Sequence, residues 1–174
     1  MSQLNGIKLK RFLKHRYNHD FEFVVVLENI QYARNVAESF RISDAVKVSK
    51  IMLTGISQQP PFGKDLQKVS RAKEMSIPWE YHETTGKAIQ KLKRLGFTIV
   101  AVELTEQAIE INEFVEGLQS KKIAVIVGNE GYGIVKNTLP QVDSEVILPM
   151  FGKGASLNVS VSLAVFLYTI ILAA

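Results

Sequence analysis

The residues able to do chemistry fall in three short stretches. Arg34, Asn35 and Arg41 lie in the first, Asn129 and Glu130 in the second, and Ser156 and Asn158 in the third. Two guanidinium groups, one carboxylate and several small amide and hydroxyl groups suit the binding of an anionic substrate and proton transfer assisted by electrostatics. The second stretch, "VGNEGYG", has glycines at 128, 131 and 133. Their order is wrong for the G-x-G-x-x-G dinucleotide fingerprint, and the G-K-[ST] ending of a phosphate loop is missing. Its plainest reading is a tight turn, with glycines that let the backbone approach a ligand closely. The third, "GKGASLN", puts two glycines, Ser156 and Asn158 just before an apolar run. Ser156 reads as the cap of the helix that follows, and the same loop offers backbone amides to a small polar ligand. The chain has no cysteine, and its histidines, His15, His19 and His82, are scattered. Thiol catalysis, disulfides and a metal cluster are therefore disfavoured, and no local Ser-His-Asp motif points to a hydrolase.

These stretches need elements to position them. Apolar runs at 21–27, 50–55, 77–83, 97–104, 123–128 and 144–150 read as strands. Between them, 35–46 has Val36, Ala37 and Phe40 at helical spacing. Helices are also expected at 62–75, at 84–96 up to the stop at Gly96, as a short piece at 131–142, and at 159–174; 113–122 reads as a turn. Uninterrupted apolar strands alternating with helices imply an α/β fold, a mostly parallel sheet covered on both faces. Ligands in such sheets sit beyond the carboxyl ends of the strands, where the loops 53–55, 128–133 and 149–158 are expected to gather.

At 174 residues, 47% of them apolar and 22% charged, the chain is one packed domain's worth, far from the disordered classes. Charge is concentrated at the start. Residues 1–20 hold Lys8, Lys10, Arg11, Lys14 and Arg16 against Asp20 alone, which accounts for the whole formal net charge of +4. A basic arm at 1–20 containing Phe12, His15 and Tyr17, before a neutral domain at 21–174, suits a phosphate backbone with occasional stacking on bases. The competing reading is a solvated basic helix whose Leu9, Phe12 and Leu13 pack on the body. Because basic residues interrupt the first 20 residues, no secretory signal is expected and the location reads as cytoplasmic. The apolar tail 159–174 falls short of the roughly 20 residues that span a bilayer and contains Ser160, Ser162, Tyr168 and Thr169, so it reads as a buried helix and not a membrane anchor.

Taken together the three stretches are more specific than any one. "NVAESFRISDAVKVSKIMLTG" (35–55), with asparagine and arginine six residues apart, "IAVIVGNEGYGI" and "ILPMFGKGASLNVSVSLAVFLY" resemble the three motifs of the SpoU or TrmH-like branch of the SPOUT RNA methyltransferases. The resemblance covers 21–174. It implies a parallel α/β domain with a C-terminal deep trefoil knot, a homodimer, and S-adenosylmethionine as the cofactor. The implied reaction is methyl transfer to a ribose 2′-hydroxyl of RNA, with tRNA favoured over rRNA, and without a metal. By motif, Arg41 takes the place of the catalytic base or ribose-phosphate organiser, with Asn35 beside it. Glu130 takes that of the second motif's carboxylate, and Ser156 and Asn158 those of the polar pair near the reacting hydroxyl. Gly128, Asn129, Leu148, Met150 and Leu157 fall at the cofactor positions. Two residues depart from the pattern: Ala37, and Lys47 where a glycine is common. A non-catalytic RNA-binding relative of the same fold would have lost Arg41, Asn158 or the glycines, and all are present. An ordinary doubly wound nucleotide-binding enzyme would carry a phosphate fingerprint after the first strand, and "LENIQYARN" has none.

Overall fold

Residues 5–14 and 18–173 are described by the computed structural model. Seven parallel strands form one sheet: β1 (Glu22–Glu28), β2 (Lys50–Thr54), β3 (Trp79–His82), β4 (Thr98–Val102), β5 (Ile109–Glu110), β6 (Lys122–Val127) and β7 (Ser144–Ile147). Their order across the sheet is β3-β2-β1-β6-β4-β7-β5. The chain winds outward from β1 through β2 to β3, then crosses back to β4 on the other side, so the winding direction reverses around β1, β6 and β4. The expected α/β architecture with a parallel sheet is what forms.

Strand alternation sorts the core into two layers. Phe23, Val25, Leu27, Ile51, Leu53, Ile123 and Val125 face one side, where they meet α2 (Ala33–Ala45), α5 (Ile111–Glu116) and α6 (Val159–Ala173). Val24, Val26, Met52, Ile99, Ala101 and Ile126 face the other, against α4 (Thr85–Arg94) and the loop residue Ile134. Val36, Ala37 and Phe40 are fully buried, as their spacing on α2 requires.

Several expected elements are revised. The segment 113–122 is not simply a turn, because α5, which follows β5, occupies its first residues as far as Glu116. Segment 131–142 is not an α-helix: only a 3-10 turn forms, at Leu139–Gln141. Its amides are drawn elsewhere, Ile134 N–H to Glu103 at 2.7 Å and Val135 N–H to Glu28 at 3.1 Å, and Pro140 has no N–H to give. The expected helix at 62–75 is divided: α3 (Lys64–Ser70) ends at Arg71 and Ala72, left-handed at φ 56° and 57°, and a 3-10 turn follows at Lys73–Met75. Lys47 is also left-handed, at φ 53°, which explains why glycine suits that turn and marks the cost of a lysine there.

The basic segment contains α1 (Gly6–Lys14), on which Ile7, Leu9 and Phe12 are exposed. The side chains of Lys10, Arg11, Leu13 and Lys14, and all of His15, Arg16 and Tyr17, lie outside the described residues. Among the described residues no helix is long and apolar enough to cross a membrane, and no group of three His, Asp or Glu side chains could hold a metal ion.

Candidate active site

Beyond the carboxyl ends of β1, β4, β6 and β7 lies a cavity of about 620 Å³. Residues 127–133, from the last residue of β6 into the loop after it, form one wall, 146–148 and 155–159 form another, and Glu103 after β4 and Asn35 on α2 close the sides. Two of the three expected loops therefore gather here. The third, 53–55, does not line the cavity. Gly55 instead packs so tightly on Asn29 that a Cβ would come within 1.8 Å of its Oδ1, so this loop supports the turn after β1 from beneath.

A continuous polar network joins the motifs. The Asn35 amide donates to Glu130 Oε1 at 2.6 Å, and the Asn158 amide donates to Asn35 Oδ1 at 3.1 Å. Asn158 Oδ1 accepts from Ser160 N–H at 2.9 Å, the geometry of an N-cap on α6. The cap is thus Asn158, not the expected Ser156, which stands exposed on the cavity wall. Ser160 Oγ lies 2.7 Å from both Asn158 Oδ1 and Glu38 Oε2, so its single proton serves two acceptors. Glu38 in turn accepts from Arg34 Nε at 3.0 Å.

Glu130 also works on the backbone. Its carboxylate accepts from Gln31 N–H at 2.9 Å and from Tyr32 N–H at 3.2 Å. Tyr32 is the N-cap of α2 and provides no side-chain cap. A carboxylate from a distant loop therefore occupies the positive end of that helix, where the dipole favours an anion. Asn129 is committed as well: its amide donates to Asn29 O at 2.8 Å, and its Oδ1 accepts from Gly131 and Tyr132 N–H at 2.8 and 3.3 Å. It offers a ligand its backbone more than its side chain.

Gly128 shows what the glycines are for. A Cβ there would sit 2.4 Å from the backbone of Gly133 and Ile134, so the strand end and the returning loop touch along their main chains. Leu148, Met150 and Leu157 line the same cavity. Arg41 is exposed on α2 and is not among the cavity-lining residues.

Two carboxylates escaped the sequence reading. Glu103 holds Leu104 N–H at 3.0 Å and Ile134 N–H at 2.7 Å, tying the end of β4 to the loop after β6. Glu28, buried at the end of β1, accepts from Val135 N–H at 3.1 Å and Thr138 Oγ at 2.6 Å. The available signal was a glutamate closing each apolar strand, "VVVLE" and "IVAVE".

A parallel sheet with a cavity at its switch in winding direction, walled by close-approaching backbone and a polar network, defines an α/β domain built to hold a small polar ligand. Residues 22–168 match the family described as SpoU rRNA Methylase, and the chain belongs to that family. It is 33% identical over 150 residues to the tRNA (guanosine(18)-2′-O)-methyltransferase of Thermus thermophilus, covering 84% of this chain and 73% of that protein. The Escherichia coli enzyme of the same name is 29% identical over 150 residues, 84% of this chain. The chain matches only 62% of that relative's length. The crystal structure of an AdoMet-bound rRNA methyltransferase from Sinorhizobium meliloti shares the fold, with a TM-score of 0.74 at 21% identity over 86% of this chain and 55% of that one.

Proposed function

We propose that this chain transfers a methyl group from S-adenosylmethionine to a ribose 2′-hydroxyl of RNA, with tRNA ahead of rRNA as the substrate. The observation that carries this reading is the Glu130–Asn35–Asn158 network beside the cavity, which links residues 123 positions apart in sequence into one polar wall. The residues present fit the cofactor. The main-chain contact at Gly128 leaves no room for a side chain there, and among the described residues the backbone of 150–157 forms no internal hydrogen bond. Gly128, Asn129, Leu148, Met150 and Leu157 would hold it, and when bound it supplies an electrophilic methyl group on a sulfonium. The relatives' names and the AdoMet-bound structure support the same assignment.

The chain's own residues then orient the nucleophile. Asn35 and Asn158 are locked in place and fix the local polarity, Glu130 sets the start of α2, and Ser156 offers a hydroxyl on the wall. Arg41 acts by gripping phosphate and stabilising the charge that develops on the ribose oxygen as its proton passes to solvent. The same reading makes the chain a cytoplasmic homodimer whose C-terminal segment is threaded as a trefoil knot. Its support is the membership of the family and the apolar residues that α6 leaves on the surface.

Labelled S-adenosylmethionine incubated with total RNA from a strain lacking the gene, followed by mapping of the modified ribose, tests the reaction. Label in a ribose 2′-O-methyl is expected. Absence of both transfer and calorimetric cofactor binding overturns it. Arg41→Ala should lower transfer by about 10²- to 10³-fold while leaving cofactor affinity unchanged.

A further inference from the structure

Tyr32 and Tyr132 line the cavity, yet they remain 58% and 62% exposed. Their backbones are held firmly by the adjacent residues Glu130 and Asn129, which accept from Tyr32 N–H at 3.2 Å and from Tyr132 N–H at 3.3 Å. The loop carrying Tyr32 is pinned further, with Ile30 N–H donating to Ser57 Oγ at 2.9 Å and Asn29 O accepting from Asn129 at 2.8 Å. Two aromatic rings therefore stand in solvent on rigid main chain at the rim of one cavity. An exposed ring contributes little to folding, but a pre-positioned one gives a planar ligand a large contact at low entropic cost. Arg34, two residues from Tyr32, has a side chain 74% exposed and adds a cation for a phosphate.

We propose that Tyr32 and Tyr132 are base-stacking residues that seat unpaired bases of the substrate RNA while its ribose faces the Asn35–Asn158 wall. This rests on the reading of the chain as an RNA methyltransferase. Single-stranded bases are held by stacking on aromatic faces, an interaction open to any base. Gly128 and Leu148, the residues proposed to hold the cofactor, line the cavity away from the two exposed rings, and the apolar surface of α6 lies on other residues, which leaves the rim to RNA.

The test compares Tyr32→Ala, Tyr132→Ala and the double variant with the corresponding Phe variants, using bulk tRNA as the probe. Each Ala variant should weaken tRNA binding by roughly ten- to a hundredfold. The slope of log K against log salt should stay constant, since no phosphate contact is lost. The Phe variants should bind within about twofold of the parent, because the ring is kept. Unchanged tRNA affinity in the double Ala variant overturns the proposal, as does absence of tRNA binding by the parent. A loss confined to S-adenosylmethionine affinity, or a change of oligomeric state, overturns it too by making the rings cofactor or interface residues. If the parent binds tRNA with this aromatic dependence but transfers no methyl group, the stacking site stands and the assigned reaction fails.

Discussion

At the residue scale, the glycines of "GNEGYG" are not equivalent, although in the sequence they look alike. Gly128 meets the backbone of Gly133 and Ile134 at 2.4 Å from its would-be Cβ, and main chain cannot swing aside as a flexible side chain can. At Gly131 the nearest atom is Asn129 Oδ1 at 3.4 Å, an ordinary contact. Gly128→Ala is therefore expected to push the returning loop out of the cavity. It should cost about 1–3 kcal/mol, lower Tm by roughly 2–12 °C, and abolish cofactor binding. Gly131→Ala should leave both near the parent values. Thermal melts with and without S-adenosylmethionine decide it, and equal behaviour of the two variants would show that the close approach at Gly128 is not what shapes the site. The polar types at Asn35, Glu130 and Asn158 were legible in the sequence because their motifs are specific. Their mutual contacts were not, since they depend on pairings 95 and 123 residues apart. Glu103 and Glu28 were hidden in the same way, because their contacts to Ile134 and Val135, 31 and 107 residues away, form only once the loop after β6 returns to them.

At the scale of elements, what was legible followed burial. The long apolar strands and α2 announced themselves through continuous or periodic hydrophobicity, whereas the two-residue β5 and six-residue α5 are too short to show a period. Segment 131–142 looked helical by composition, but tertiary acceptors took its amides. One link between elements has a measurable consequence. Glu80 on β3 accepts from Lys91 of α4 at 2.7 and 2.8 Å, from Lys50 of β2 at 3.3 Å and from His82 at 3.0 Å. Burial pushes its carboxyl up, but hydrogen bonds from His82, Lys91 and Lys50 together outweigh this and hold it at about 2, below its ordinary 4.5. The depressed carboxylate stabilises the fold fully above pH 4.5, and that contribution is lost as pH falls from there toward 2. Glu80→Gln should lower the urea midpoint at neutral pH, with the gap to the parent closing as the pH drops through that window. A gap that stays constant down to pH 2.5 would mean the three-way link does not favour the charged carboxylate (about 2 for its pKa).

At the scale of the whole molecule, α6 presents an apolar surface on two sides. Leu163, Phe166, Leu167 and Ile170 are buried against the sheet, while Val161, Val165, Tyr168 and Leu172, spaced along the opposite face, are 45%, 40%, 44% and 80% exposed. A helix apolar all round belongs in an interior. The second face finds one if two copies of the chain pack through it. A stable interface buries about 1,200–2,000 Å² in all, more than one helical stripe supplies. The exposed side of α2, which packs on α6 and carries Arg41, adjoins this stripe and would enlarge the proposed interface. The proposed homodimer thus also explains why a residue assigned to the chemistry stands outside its own cavity's lining. Light scattering should give twice the 19.5 kDa chain mass for the parent. Val165→Glu, which sets a charge in the middle of the stripe and touches no buried core position, should give the monomer mass with an unchanged far-ultraviolet spectrum. A parent that is monomeric at micromolar concentration would overturn the homodimer, and a Val165→Glu variant that stays dimeric would place its interface away from this face of α6.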